Sequence, residues 1–361
     1  NGTFVMGNNY VNFGVSAGTS GYGLGVSPGG SIMVRNRGGD WTVITDIVSG
    51  GGSTAPAGSN NQVQFNDGGS FGACAGFTFD NSTNSFVVGR SGAQSNTATG
   101  SNSAVVGGQG NTVTGENSTA MGGFSNTIGA GAGGGNTNVG GNNNIVNTGN
   151  HAGNFAGQSN NVTGSQSVNA GGQNNNVSSL LSGNFAGSSN TVSGDGSVNV
   201  GGDQNTVQGS NSANVGGEQN TVSGGDSANV AGKSNNIQGD YSGNFAGQGN
   251  NIQGDYAFIG GGITNRALKT TSATIGGDTI LADGNQSVAI GGILNGVSGN
   301  NSAVVAGSNN SVSGDNSAVV AGSNNSASGN NSAVVAGSNN SASGVSSAVI
   351  AGFSNNIFSN N

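Results

Sequence analysis

Cysteine, histidine, proline and charge are all scarce in this chain: 361 residues include one cysteine, one histidine, two prolines and only 6% charged residues. With Cys74 alone, an intrachain disulfide framework and any multi-cysteine metal site are excluded. With His151 alone, no nucleophile can be paired with an identifiable base, so the reading is that the chain is not an enzyme and binds no cofactor. Six basic residues against fourteen acidic ones give a net charge of −8, which leaves no basic patch to neutralise a nucleic-acid backbone. No apolar run approaches the roughly 18 residues needed to cross a bilayer, so no membrane segment is expected. The opening Asn1-Gly2-Thr3-Phe4 has no charged or apolar leader pattern, and the expectation is a processed protein or a fragment of a longer one, with any anchor outside this sequence.

What is abundant is glycine, 75 residues, accompanied by asparagine and serine. Such a composition suits a flexible linker, but Val, Ile, Ala and Phe recur at fixed intervals, as a repeat fold requires. Counting each repeat from the glycine that opens Gly299-Asn300-Asn301-Ser302-Ala303-Val304-Val305-Ala306-Gly307-Ser308-Asn309-Asn310-Ser311-Val312-Ser313 gives a 15-residue register. Repeats open at Gly100 and Gly115, and one irregular repeat with an insertion at 129–135 follows. From Gly149 to Gly344 there are fourteen consecutive openings without insertion or deletion. Fifteen residues are too few for a helix-turn-helix repeat, and this glycine density is costly in helices, by up to about 1 kcal/mol per Gly. Two short strands and two tight turns per coil fit instead.

Period-2 alternation then predicts an inside and an outside. Positions 5, 7 and 14 are expected to point inward, which makes Val106, Phe155, Phe185, Phe245, Ile275, Ile290 and Val305 candidate core residues. Large and small residues trade places between positions 5 and 7, as in Gly153 with Phe155 and Phe258 with Gly260, as if sharing one volume. Position 12 is Asn almost throughout, and Asn160, Asn175, Asn190, Asn205, Asn220, Asn235, Asn250, Asn310, Asn325 and Asn340 are expected to form a structural ladder of stacked amides. Ile280 interrupts it, so irregularity is expected there. Position 6 is expected to face outward. Its row runs from Asn154 to Asn244 as asparagine and then turns aliphatic, marking Ile259, Val304, Val319, Val334 and Val349 as a candidate interface with another chain.

Residues 1–99 leave this register. Hairpin signals over 30–44, 62–79 and 85–89 predict an N-terminal β module over 1–48, a linker over 49–61, a second β module over 62–99 and a solenoid of about 17 coils over 100–361. His151 sits at position 3 and reads as a substituted turn residue. Asp195, Asp226, Asp240 and Asp255 near coil openings, and Asp203, Glu218 and Asp278 near the second turn, read as solvated charges, weak cation binding between coils being the alternative. Gly-x-Gly-x-x-Gly matches arise by chance at this glycine content, and none follows a strand and opens a helix.

Asn285-Gln286-Ser287-Val288-Ala289-Ile290-Gly291-Gly292 resembles the Ser-Val-Ala-Ile-Gly signature of trimeric autotransporter adhesin heads, and residues 301–307, 316–322 and 331–337 look like the same motif. The resemblance spans the repeats and implies a left-handed parallel β-roll, trimerised side by side on a bacterial surface. No neck, stalk or membrane barrel of that family accompanies it. Residues 61–69, Asn61-Gln62-Val63-Gln64-Phe65-Asn66-Asp67-Gly68-Gly69, look more like segments of phage tail fibres. The Asn-x-Val-x-Gly rhythm also resembles a plant ice-binding β-roll. The expected function is a self-associating structural or adhesive fibre of a cell surface, as homotrimer or head-to-tail filament, with a host-cell or matrix surface as a further partner. A virion tail fibre and an ice-binding solenoid are the alternatives.

Overall fold

The computed structural model describes residues 5–7, 10–16, 20–27, 29, 31–35, 40–43, 56–89, 92, 94–131 and 134–358. The chain divides into two units, Asn1–Phe79 and Asp80–Asn361.

The first unit is antiparallel. Strands β1 (Val5–Gly7), β2 (Tyr10–Ser16), β3 (Ser20–Val26), β4 (Ile32–Arg35) and β5 (Thr42–Val43) form a sheet in chain order. The hairpin expected over 30–44 is the β4–β5 pair, with Val34 opposite Thr42. Strand β6 (Gln62–Asp67) pairs with β7 (Ser70–Asp80) through a two-residue loop, Gly68-Gly69, with φ of 62° and 94°. Both loop residues need positive φ for the strands to keep their twist, and glycine gives it freely. Most of the linker expected over 49–61 lies outside the described residues.

The second unit is a parallel β-solenoid of about 18 turns, most of them 15 residues long. Each coil carries a strand at positions 5–6 or 5–7, a single bridge at position 10 and a second strand at positions 13–14. Every such strand pairs in parallel with its counterpart one coil away, as Ala303 with Ala318 and Ser311 with Ser326. The stack starts one coil before Gly100. Strand β8 (Ser85–Val88) is not part of a hairpin but pairs in parallel with residues 104–106, Phe86 opposite Ala104. The irregular region resolves into two long coils, since Thr119 pairs with Thr137 and Thr137 with Gly153.

Two glycine positions let coils lie this close. At position 1, a Cβ on Gly209 would stand 1.9 Å from the carbonyl oxygen of Gly224. At position 9, a Cβ on Gly322 would stand 2.0 Å from the carbonyl oxygen of Gly337, and its φ is 100°. Positions 3 and 11 are left-handed in non-glycine residues as well, as Asn301 and Asn309 at 53° and 54° illustrate. Asparagine tolerates that conformation, which explains much of its abundance.

Candidate functional site: interior ladders and an outer apolar face

A 15-residue coil encloses a thin interior, filled by the side chains of positions 4, 6, 12 and 14. Position 14 supplies fully buried Val162, Val177, Val192, Val207 and Ile237. Position 12 supplies the asparagines, buried in every coil but the last, where Asn355 is exposed, and their side chains tie each coil to the next. Asn325 shows the pattern: its Oδ1 accepts the backbone N–H of Asn340 at 3.1 Å, and its Nδ2 donates to the carbonyls of Ala321 and Gly337, both at 3.0 Å. The same N–H to Oδ1 link joins Asn160, Asn175, Asn190, Asn205, Asn220, Asn235 and Asn250 in series at 2.9–3.0 Å. Asn310 receives Asn325 in the same way.

Ile280 does not disturb its coil. Its N–H donates to Asn265 Oδ1 at 2.9 Å, its side chain is fully buried, and the strand pairing continues through it, with Leu281 opposite Arg266 and Gly296. The expected irregularity is absent because strand pairing carries the register even where one amide is replaced.

Position 6 is where the expectation fails. Val304, Val319 and Val334 are fully buried, as is Ile259, and Val349 is 4% exposed. The proposed interface row is therefore core. The asparagines of the same row are buried too, and they satisfy one another: Asn184 Nδ2 donates to Asn169 Oδ1 at 2.8 Å, and Asn199, Asn214, Asn229 and Asn244 each donate to the preceding Oδ1 at 2.7 Å. The expected core residues are correspondingly outside. Val106, Phe155, Phe185, Phe245, Ile275 and Val305 are all exposed, between 40% and 57%, and Ile290 is half-buried. A thin interior stacks residues of similar size, and the row with phenylalanine beside alanine and glycine could not have filled it.

The trade between positions 5 and 7 is real but belongs to the outer surface. A Cβ on Gly153 would meet the Phe155 ring at 2.9 Å, one on Gly183 the Phe185 ring at 3.1 Å, and one on Gly260 the Phe258 ring at 3.2 Å. Each phenyl ring thus lies down across its glycine neighbour, and the face stays level. Phe245 and Phe258 meet edge to face across the two columns, centroids 5.5 Å apart. Position 7 continues as exposed Val200, Val215, Val230, Val320 and Val335. One side of the solenoid is therefore a level apolar strip.

A further ladder runs along position 4, which the sequence reading passed over. Ser197 Oγ accepts the backbone N–H of Ser212 at 3.0 Å and donates to the carbonyl of Gly209 at 2.7 Å, and Ser212, Ser227 and Ser242 repeat the arrangement. Recurrence of serine in that one column was the available signal.

His151 is an exposed corner residue at φ 53°. Asp195, Asp240 and Asp255 each use Oδ1 to accept a backbone N–H from the preceding coil, at 2.7–3.0 Å. Among the described residues one ion pair is seen, Lys233 with Glu218 at 2.9 Å, and no group of three or more His, Cys, Asp or Glu could hold a metal ion. Cys74 is exposed and unpaired. Among those residues no helix is long and apolar enough to cross a membrane. No protein-family model matches the chain, and no curated protein matches it.

Proposed function

We propose that the chain is a self-associating structural subunit of a surface fibre, and that the level apolar strip of positions 5 and 7 is its contact face. The exposed row of Val106, Phe155, Phe185, Phe245, Ile275 and Val305 carries this reading. About 18 coils at roughly 4.8 Å each give a strip some 80 Å long and about 10 Å wide, on the order of 800 Å². That exceeds the apolar patches of ordinary monomers and equals one partner's share of a standard specific interface. A surface with the same axial repeat fits it best, and a second copy set side by side supplies that repeat. Three copies around a common axis would cover the strip on each, which is the homotrimer expected from the resemblance. An extracellular or virion setting, and adhesion to a host or matrix surface, belong to the same proposal.

The test is the oligomeric state of Phe185→Glu combined with Val320→Glu. Light scattering is expected to find the wild type oligomeric and the double variant monomeric, with unchanged circular dichroism. A folded wild-type monomer sinks the proposal.

Stacked threonines favour one second reading. Thr97, Thr112 and Thr127 align across successive coils, as do Thr191, Thr206 and Thr221. Such ranks would suit an ice-binding face, and clear thermal hysteresis would place it first.

A further inference from the structure

The corner leading into the first strand of each coil is made by positions 1 to 3, and position 3 is left-handed in coil after coil. Asparagine suits it, and successive asparagines there can bridge, as Asn102 Nδ2 does to Asn117 Oδ1 at 3.1 Å. Tyr241 and Tyr256 stand in the same place at φ 55° and 56°. A bulky aromatic residue is disfavoured there, and strain of this kind concentrates where a surface has work to do. The two rings are 56% and 60% exposed, stacked with centroids 4.9 Å apart and planes 6° apart. Their contact with each other returns part of the cost, but asparagines would incur little of it.

The column continues on either side with short residues. Asp226 precedes Tyr241 by one coil and Thr271 follows Tyr256 by one. Tyr241 N–H donates to the Gly225 carbonyl at 2.9 Å and Tyr256 N–H to the Asp240 carbonyl at 2.8 Å, so the corner keeps its spacing. A tyrosine ring reaches farther from the backbone than aspartate or threonine, so the column covers neither outer ring face. Beside the rings, Asp240 Oδ1 accepts the Gly225 N–H and Asp255 Oδ1 accepts the Asp240 N–H. The second oxygen of each carboxylate remains an acceptor.

We propose that Tyr241 and Tyr256 form a platform for a pyranose unit of a neutral glycan. The apolar C–H face of the sugar lies on an open ring face, and its hydroxyls donate to the carboxylates of Asp226, Asp240 and Asp255. Stacking fixes the rings, so little side-chain freedom is lost on binding, and a tyrosine presents both apolar area and a polar tip. A ligand that is apolar on one face and a hydroxyl donor at its rim matches both halves of the site. The site is independent of the association face.

The experiment compares full-length wild type with Y241N/Y256N on a printed array of neutral glycans. The variant restores the residue favoured by left-handed backbone, so it is expected to fold and to melt no lower than wild type. Binding to the glycans that wild type retains should fall at least about tenfold in the variant, and should persist in about 1 M salt, where charge pairing is screened. Equal retention by both proteins, or retention by neither, overturns the proposal. So does binding confined to a hexa-arginine peptide and abolished by salt, which would make the patch a cation site.

Discussion

The solenoid has two interiors on one backbone. Between Asn154 and Asn244 position 6 is a column of amides, and from Ile259 to Val349 the same column is almost wholly aliphatic. Strand pairing and coil length are unchanged between them, and the position 12 ladder runs through both with Ile280 as its one substitution. Asparagine and valine are close in size, so the thin cross-section accepts either. What differs is the condition attached: a valine is satisfied by burial alone, whereas a buried amide without partners costs about 1–3 kcal/mol. Only an uninterrupted stack meets that condition. Its ends show this. Asn244 Oδ1 is closed off by Asn250 Nδ2 at 3.3 Å, while Asn138, between the two long coils, keeps a buried Oδ1 without a partner. Thr274, isolated in the aliphatic stretch, likewise has a buried hydroxyl without one.

The comparison can be broken first at what the halves share. Asn205→Ala and Asn325→Ala each strip a backbone N–H and two carbonyls of their buried partner. Both should lose about 3 kcal/mol or more in denaturant unfolding, and by similar amounts. A large difference between them would mean that the halves are held together differently. A sharper test exchanges the column itself. Val319→Asn inserts a lone amide among aliphatics and should cost about 2–3 kcal/mol, more than Asn199→Val, which removes one rung and leaves its neighbours partly bonded. Equal costs would show that continuity of the stack is irrelevant. The smallest effect is expected outside: Lys233→Ala removes an ion pair whose members are 49% and 43% exposed, and should change stability by less than about 1 kcal/mol. A greater loss would give the surface a share in stability that the ladders are taken to hold.

The 15-residue period, the parallel coil and the hairpins β4–β5 and β6–β7 were legible because turn residues and hydrogen-bonding residues recur at fixed places. The inside was not. Alternation separates two faces of a strand without labelling them, and volume compensation between Gly153 and Phe155 describes a level outer face as well as a packed core. Asn154 to Asn244 read as exterior because a single amide belongs there. Their burial depends on neighbours 15 residues away repeating the same group. Strand β8 was read as part of a hairpin because its coil is longer than the register, and the Ser197 to Ser242 ladder was missed because serine is common everywhere in the chain.

The position 12 amide reaches only the coils immediately before and after its own. A solenoid wired this way keeps no record of its total length, so a whole coil can be copied or lost in the gene without any other coil having to adapt. The repeats opening at Gly299, Gly314 and Gly329 differ from one another only at positions 2 and 14, the pattern that recent copying would leave. The length of the solenoid is then a quantity that selection can adjust one coil at a time, far more cheaply than it could redesign a fold.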